Sequence, residues 1–123
     1  MPFDHVGFNV RSFLRSRDFY VQALGPLDIS ILHEREDWAA FGENGRVLLW
    51  IGEPAGPGGR IHVAFAARDR AAVRAFHAAA LEAGGRDNGA PGLRPGYGQE
   101  YYAAYVIDPD GHNIEAVCRR AET

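Results

Sequence analysis

The sequence predicts an α+β fold: two βαβββ modules, residues 1–53 and 60–120, whose strands build a cupped mixed sheet within a single domain. Three observations carry this. The chain repeats itself: His5-Val-Gly-Phe8 returns as His62-Val-Ala-Phe65, Phe19 returns as Phe76, and Leu24 as Leu81, always 57 residues on. Within each copy, an alternating apolar stretch precedes a stretch with helical spacing, and further strand-like runs follow. Between the copies lies a Gly/Pro-rich link, Glu53-Pro-Ala-Gly-Pro-Gly-Gly59.

Each element can be justified in turn. In residues 4–10, Val6, Phe8 and Val10 face one way and His5, Gly7 and Asn9 the other, which is a strand with one apolar face. Ser12 can cap a helix that carries Phe13, Tyr20, Ala23 and Leu24 and stops at Gly25-Pro26. Strands follow at about 28–34, 37–42 and 46–52, with Glu43-Asn44-Gly45 as a hairpin turn. In the second copy, residues 61–67 alternate again, with Val63 and Phe65 opposite His62 and Ala64. Asp69 can cap a helix whose Val73, Phe76, His77, Ala80 and Leu81 recur at helical spacing, and Gly84 can close it. Residues 85–99, rich in glycine and proline, read mainly as loop. The last two strands, 100–107 and 112–119, are joined by Asp108-Pro109-Asp110-Gly111, a turn in which proline supplies the fixed φ and glycine a positive one.

Composition narrows the function. A net charge of −3 with no basic run argues against nucleic acid as a partner. All 13 cationic residues are arginine. No segment approaches the roughly 20 apolar residues that span a bilayer, and the N-terminus lacks the pattern of a signal peptide. The single cysteine, Cys118, has no intrachain partner, so a cytoplasmic protein is the expectation.

The candidate chemistry lies on the polar side of the strands. His5 and His62 hold equivalent places in the two copies, both opposite the Val/Phe face. Glu115, mid-strand in Asn113-Ile114-Glu115-Ala116-Val117, shares that side, because Ile114 and Ala116 take the apolar one. A carboxylate among apolar neighbours is costly unless paired. A divalent metal held by His5, His62 and Glu115 would pair it and leave positions open for water or substrate. Each residue alone reads more simply as a hydrogen-bonded strand residue; the repeat relation between the two histidines favours the metal site.

These residues resemble a known family. Asp4-His5-Val6, Phe19-Tyr20 with Leu24-Gly25, His62-Val63, and above all Tyr105-Val-Ile-Asp-Pro-Asp-Gly-His-Asn-Ile-Glu115 are similar to the vicinal-oxygen-chelate superfamily of glyoxalases, bleomycin-resistance proteins and extradiol dioxygenases. The resemblance covers nearly the whole chain. It implies paired βαβββ modules and a divalent metal (Mn, Fe, Ni or Zn) in the cup. It also implies a small substrate that chelates the metal through adjacent oxygens, with Glu115 among the catalytic groups. Its members commonly form homodimers, and some build each site from two chains. Glyoxalase I-type isomerases take a second carboxylate from the last strand of the first module. Leu49 sits about where it would be, and Glu53 lies just past that strand's end. Fosfomycin-modifying transferases use a threonine and a basic cluster, whereas the only threonine here is Thr123. Extradiol dioxygenases need an acid/base histidine, for which His112 is available, although in a hairpin it reads more simply as a turn residue. A metal-free binder of the bleomycin-resistance type is the alternative.

Candidate substrate contacts are Trp50, Arg94, Tyr97 and Tyr101, the middle two on the loop Gly92–Gly98, which reads equally well as a lid or a plain solvent loop. Tyr101, Tyr105 and Ile107 share one face of their strand, Tyr102 and Ala104 the other, and one set is core. Cys118 falls with Ile114 and Ala116 and reads as core. His33 and His77 read as structural, and Arg11, Arg15 and Arg17 as a solvated helix face.

Overall fold

The computed structural model describes residues 4–54 and 60–121. The elements run β1 (Val6–Asn9), α1 (Phe13–Leu24), β2 (Ser30–Glu34), β3 (Trp38–Glu43), β4 (Arg46–Gly52), β5 (His62–Ala66), α2 (Arg70–Glu82), β6 (Arg86–Leu93), β7 (Tyr102–Ile107) and β8 (Asn113–Cys118). Most of the Gly/Pro-rich link, 55–59, and the chain ends, Thr123 included, lie outside the described residues. The strands make two four-stranded mixed sheets with the same topology, β1-β4-β3-β2 and β5-β8-β7-β6. In each, the first strand pairs in parallel with the last, and the other pairings are antiparallel. Among the described residues no strand of one sheet pairs with a strand of the other.

The helices begin where the caps place them. Ser12 Oγ accepts from Arg15 N at 3.4 Å, and Asp69 Oδ1 accepts from Ala72 N at 2.8 Å. Their ends differ. α2 stops at Gly84, whose φ of +99° reverses the chain. α1 ends at Leu24, where Gly25-Pro26 is expected to stop it, and Gly25, at φ −52°, leads into a 3-10 turn, Gly25–Leu27. Pro26 lacks the N–H that a longer helix would use but fits the tighter turn. The reversal falls on Asp28, at φ +64°.

One element departs from the expectation. Residues 86–93 form β6 rather than loop. Among the described residues β6 is an edge strand paired only with β7, and its register slips between Asp87 and Gly89 and again between Gly89 and Gly92. An edge tolerates Pro91 and the glycines because half of its backbone groups face no partner.

The apolar faces of both sheets and the helices make one contiguous core. Phe19 and Phe76, the repeat-related pair, are both fully buried, with Tyr20, Phe41, Leu49, Ile51, Val106 and Ile114 around them. α1 packs on α2, which joins the two halves. A polar clamp reinforces that joint. Tyr20 donates from its hydroxyl to Asp108 Oδ2 at 2.6 Å, and Asp108 Oδ1 accepts from Asp110 N (2.9 Å) and His112 N (2.8 Å). The Asp-Pro-Asp-Gly turn is thus tied to α1, and Asp110 continues the tie to Ser16 and Arg11. Arg11 and Arg17 are therefore ion-paired, Arg17 with Glu34 and Asp18, rather than simply solvated.

Candidate functional site

The alternation of strand residues sorts the second sheet into two faces. Val63, Phe65, Ile114, Ala116 and Cys118 point to the core; His62, Tyr105, Asn113 and Glu115 take the other side. The registers then set neighbours: Tyr105 lies opposite Glu115, and His62 opposite Asn113. Glu115 is only 2% exposed although it lies on the polar face, because those neighbours cover it.

A carboxylate this buried is stable only if its oxygens receive donors. Both do. His62 Nε2 is 2.9 Å from Oε1, and the Tyr101 hydroxyl donates to Oε2. The histidine is held at both ring nitrogens. Its Nδ1 lies 2.7 Å from the Asn113 side-chain amide, which is bonded in turn to the Asn88 amide at 3.1 Å. A carboxylate only accepts, so the Nε2 that faces Glu115 carries an N–H. Burial, then the bond to Glu115, pushes the Tyr101 phenol well above its ordinary pKa; burial and the Glu115 charge push Tyr105 up as well. Both phenols remain donors at any ordinary pH.

Around this centre stand an aromatic wall and two guanidinium groups. The Tyr97 ring meets Tyr101 at 5.4 Å, edge to face, and His62 lies 6.3 Å from Tyr105. Arg94 stacks over Tyr105 at 5.4 Å, and Arg119 over Tyr101 at 4.8 Å. The 94–101 segment is a tied turn: Tyr97 N donates to Arg94 O (2.9 Å), and Arg94 N to Tyr101 O (2.8 Å).

The first sheet holds the other candidates. His5 precedes β1, is exposed, and has its Nδ1 2.8 Å from Asp4 Oδ1. That bond holds the Asp4 carboxyl below its ordinary pKa. Trp50 pairs with Gly7 across β1 and β4 and stands beside Trp38 at 6.4 Å. Leu49 is fully buried, so Trp50, not Leu49, takes the polar face of β4. Glu53 is already committed, its Oε2 accepting from Phe13 N at 2.6 Å. Neither position offers a free carboxylate to a glyoxalase-type proton shuttle.

The structure therefore brings His62, Glu115, Tyr101, Tyr97 and Arg94 into one neighbourhood. It leaves His5 and Trp50 on the first sheet. Among the described residues no three His, Cys, Asp or Glu side chains come together as a metal cage. One chain supplies an imidazole and a carboxylate suited in chemistry to a divalent ion, but does not bring the third ligand to them. Sequence reasoning missed three partners. Tyr105 and Asn113 follow from the pairing that a tight Asp108–Gly111 turn imposes. The Tyr20–Asp108 clamp had no local signal, because it joins residues 88 positions apart.

Of the remaining candidates, His77 is bonded to Asp87 (2.9 Å), His33 is an exposed residue of β2, and Cys118 is buried. His112 Nδ1 accepts from Ile61 N at 3.1 Å, and its ring packs edge-on with Phe8 at 4.8 Å, which makes it a joint residue between the halves.

Comparison with known proteins agrees with this architecture. The family model of the Glyoxalase/Bleomycin resistance protein/Dioxygenase superfamily matches residues 3–116. No curated protein matches the chain. Among solved structures, a glyoxalase/bleomycin resistance protein from Albidiferax ferrireducens T118 is 29% identical with a TM-score of 0.83, covering 98% of this chain and 100% of that one. A glyoxalase-related enzyme from Fulvimarina pelagi is 20% identical (TM-score 0.74; 94% and 86% covered). A lactoylglutathione lyase from Agrobacterium tumefaciens is 16% identical (TM-score 0.71; 94% and 92% covered). The repeated topology, the Glu115 centre on the second sheet and the family match over most of the sequence lead to one conclusion: the chain belongs to the glyoxalase/bleomycin resistance protein/dioxygenase superfamily.

Proposed function

We propose that this protein is a metal-dependent enzyme acting on a small oxygen-chelating substrate, and that it works as a homodimer. In this reading His62 and Glu115 of one chain hold a divalent ion, and His5 of a second copy completes the set. The observation that carries it is the buried Glu115 carboxylate, with His62 Nε2 2.9 Å from it on the polar face. An ion held between Nε2 and the carboxylate would take the place of the Nε2 proton, and the Asn113 amide, 2.7 Å from Nδ1, would orient the ring through its other nitrogen, as metal-ligating histidines are oriented. His5 is exposed and anchored through Nδ1, which leaves Nε2 available to a neighbouring copy. The ion would act as a Lewis acid on the substrate's oxygens.

The chain's own residues have separate roles. Asn113 fixes His62. Tyr101 donates its one hydroxyl proton to Glu115 Oε2 and so holds the carboxylate in place. With Glu53 committed to the α1 N-terminus, the chemistry does not rest on a second carboxylate from the first sheet. This favours reactions other than the two-base isomerisation.

Elemental analysis after incubation with Mn, Ni and Zn tests the reading. About one ion per chain is expected in the wild type, lost in His62→Ala and Glu115→Gln. A specific observation favours a second reading, a metal-free binder: both oxygens of Glu115 already have protein donors. The absence of metal under all three conditions would select it.

A further inference from the structure

We infer that Arg94 selects the substrate: the ligand of the polar face carries a carboxylate or an equivalent oxyanion, and the Arg94 guanidinium binds it. The inference rests on the reading that this face takes a small molecule, and it holds for enzyme and binder alike.

The seat of this side chain is built. Arg94 is half-buried, and its Nη2 donates to Ala90 O at 2.6 Å. The guanidinium sits over the Tyr105 ring, 5.4 Å from its centre. Below it, β6 carries glycines. A Cβ at Gly89 would come within 3.2 Å of Arg94 Nη2, and one at Gly92 within 3.1 Å of Nη1. The glycines let the guanidinium lie close to the strand: a Cβ at either place would move it by a few tenths of an ångström, and at Gly89 would also meet Tyr105 Cδ1 at 2.9 Å.

Its position is on the route to the centre. Gly89 pairs with Tyr105, and Tyr105 with Glu115, so Arg94, Tyr105 and Glu115 form a row across β6, β7 and β8 on one face. Charge completes the argument. Arg11, Arg17 and Arg68 each meet a carboxylate. Arg94 has no acidic partner among the described residues; its one hydrogen bond there is to a carbonyl. A stacked, half-buried cation with donors left over is matched by a planar anion that can take two of them. The tyrosines beside it suit a flat organic acid.

The test uses 2-hydroxybenzoate and its amide, a pair that differs only in the charged group, titrated by calorimetry into the full chain as purified. Circular dichroism checks that each variant is folded. The wild type is expected to bind the carboxylate about tenfold more tightly than the amide. Arg94→Gln is expected to lose that preference while still binding the amide. Arg94→Lys keeps the charge but not the fork or the stack, and should retain only part of it; this variant decides if Arg94→Gln does not fold. Equal binding of the two compounds by the wild type, or a preference that survives unchanged in either variant, would overturn the inference. Metal uptake from Mn, Ni and Zn measured on the same preparations keeps the outcomes apart: an Arg94-dependent preference in protein that takes up none of the three sinks the enzyme reading and leaves this one standing.

Discussion

Tyr101 illustrates how much one hydroxyl does at the residue scale. Its proton caps an oxygen of a carboxylate that is otherwise sealed from water. Tyr101→Phe should leave Glu115 Oε2 short of a donor and cost about 1–2 kcal/mol of stability, read from urea unfolding. The pH dependence has a definite sign. A phenol whose pKa is raised in the folded state favours folding with its proton on. That contribution is fully present below the unfolded value, about pH 10, and is lost as pH rises above it. Wild-type stability should therefore fall above about pH 10, and Tyr101→Phe should flatten part of that fall. An identical slope in the variant would show that Tyr101 is not the group responsible. The sequence placed Tyr101 near substrate, whereas its hydroxyl is turned to Glu115. The parity of the strand was legible; the partner was not, because it depends on which face the helices cover.

At the scale of elements, the β7–β8 hairpin is the most informative piece. Its Asp-Pro-Asp-Gly turn was readable from turn chemistry, and Gly111 does adopt φ +93°. That turn sets the pairing that puts Tyr105 opposite Glu115. What the turn does not reveal is why Asp108 is buried. Its Oδ2 accepts from Tyr20 of α1, so the hairpin that carries Glu115 is pinned to the first half. Tyr20→Phe removes one hydroxyl and leaves a buried carboxylate oxygen unpaired, which should cost about 2–3 kcal/mol in thermal unfolding. A change below about 0.5 kcal/mol would mean that water replaces the hydroxyl and the clamp is not structural. β6 escaped the sequence reading for a different reason. Glycine and proline normally mark loops, and only its place at the sheet edge, with Arg94 needing room above Gly89 and Gly92, makes them compatible with a strand.

For the whole molecule, the internal repeat told most. An offset of 57 residues gave the paired topology and the equivalence of His5 and His62. It did not tell that the helices join the two sheets while His5 stays apart from Glu115. Equivalent positions in two modules meet only if the modules face each other, and within one chain these do not bring three ligands together. The proposed dimer resolves this by letting the first sheet of one copy face the second sheet of another. The most direct measurement is the metal content of His5→Ala and Glu115→Gln chains, unfolded, mixed one to one and refolded together. Neither variant alone should hold metal. In the mixture half of the dimers are mixed and each has one intact site, so about a quarter of the wild-type content per chain should return. A mixture as empty as its components, beside a wild type that binds about one ion per chain, would contradict the shared site.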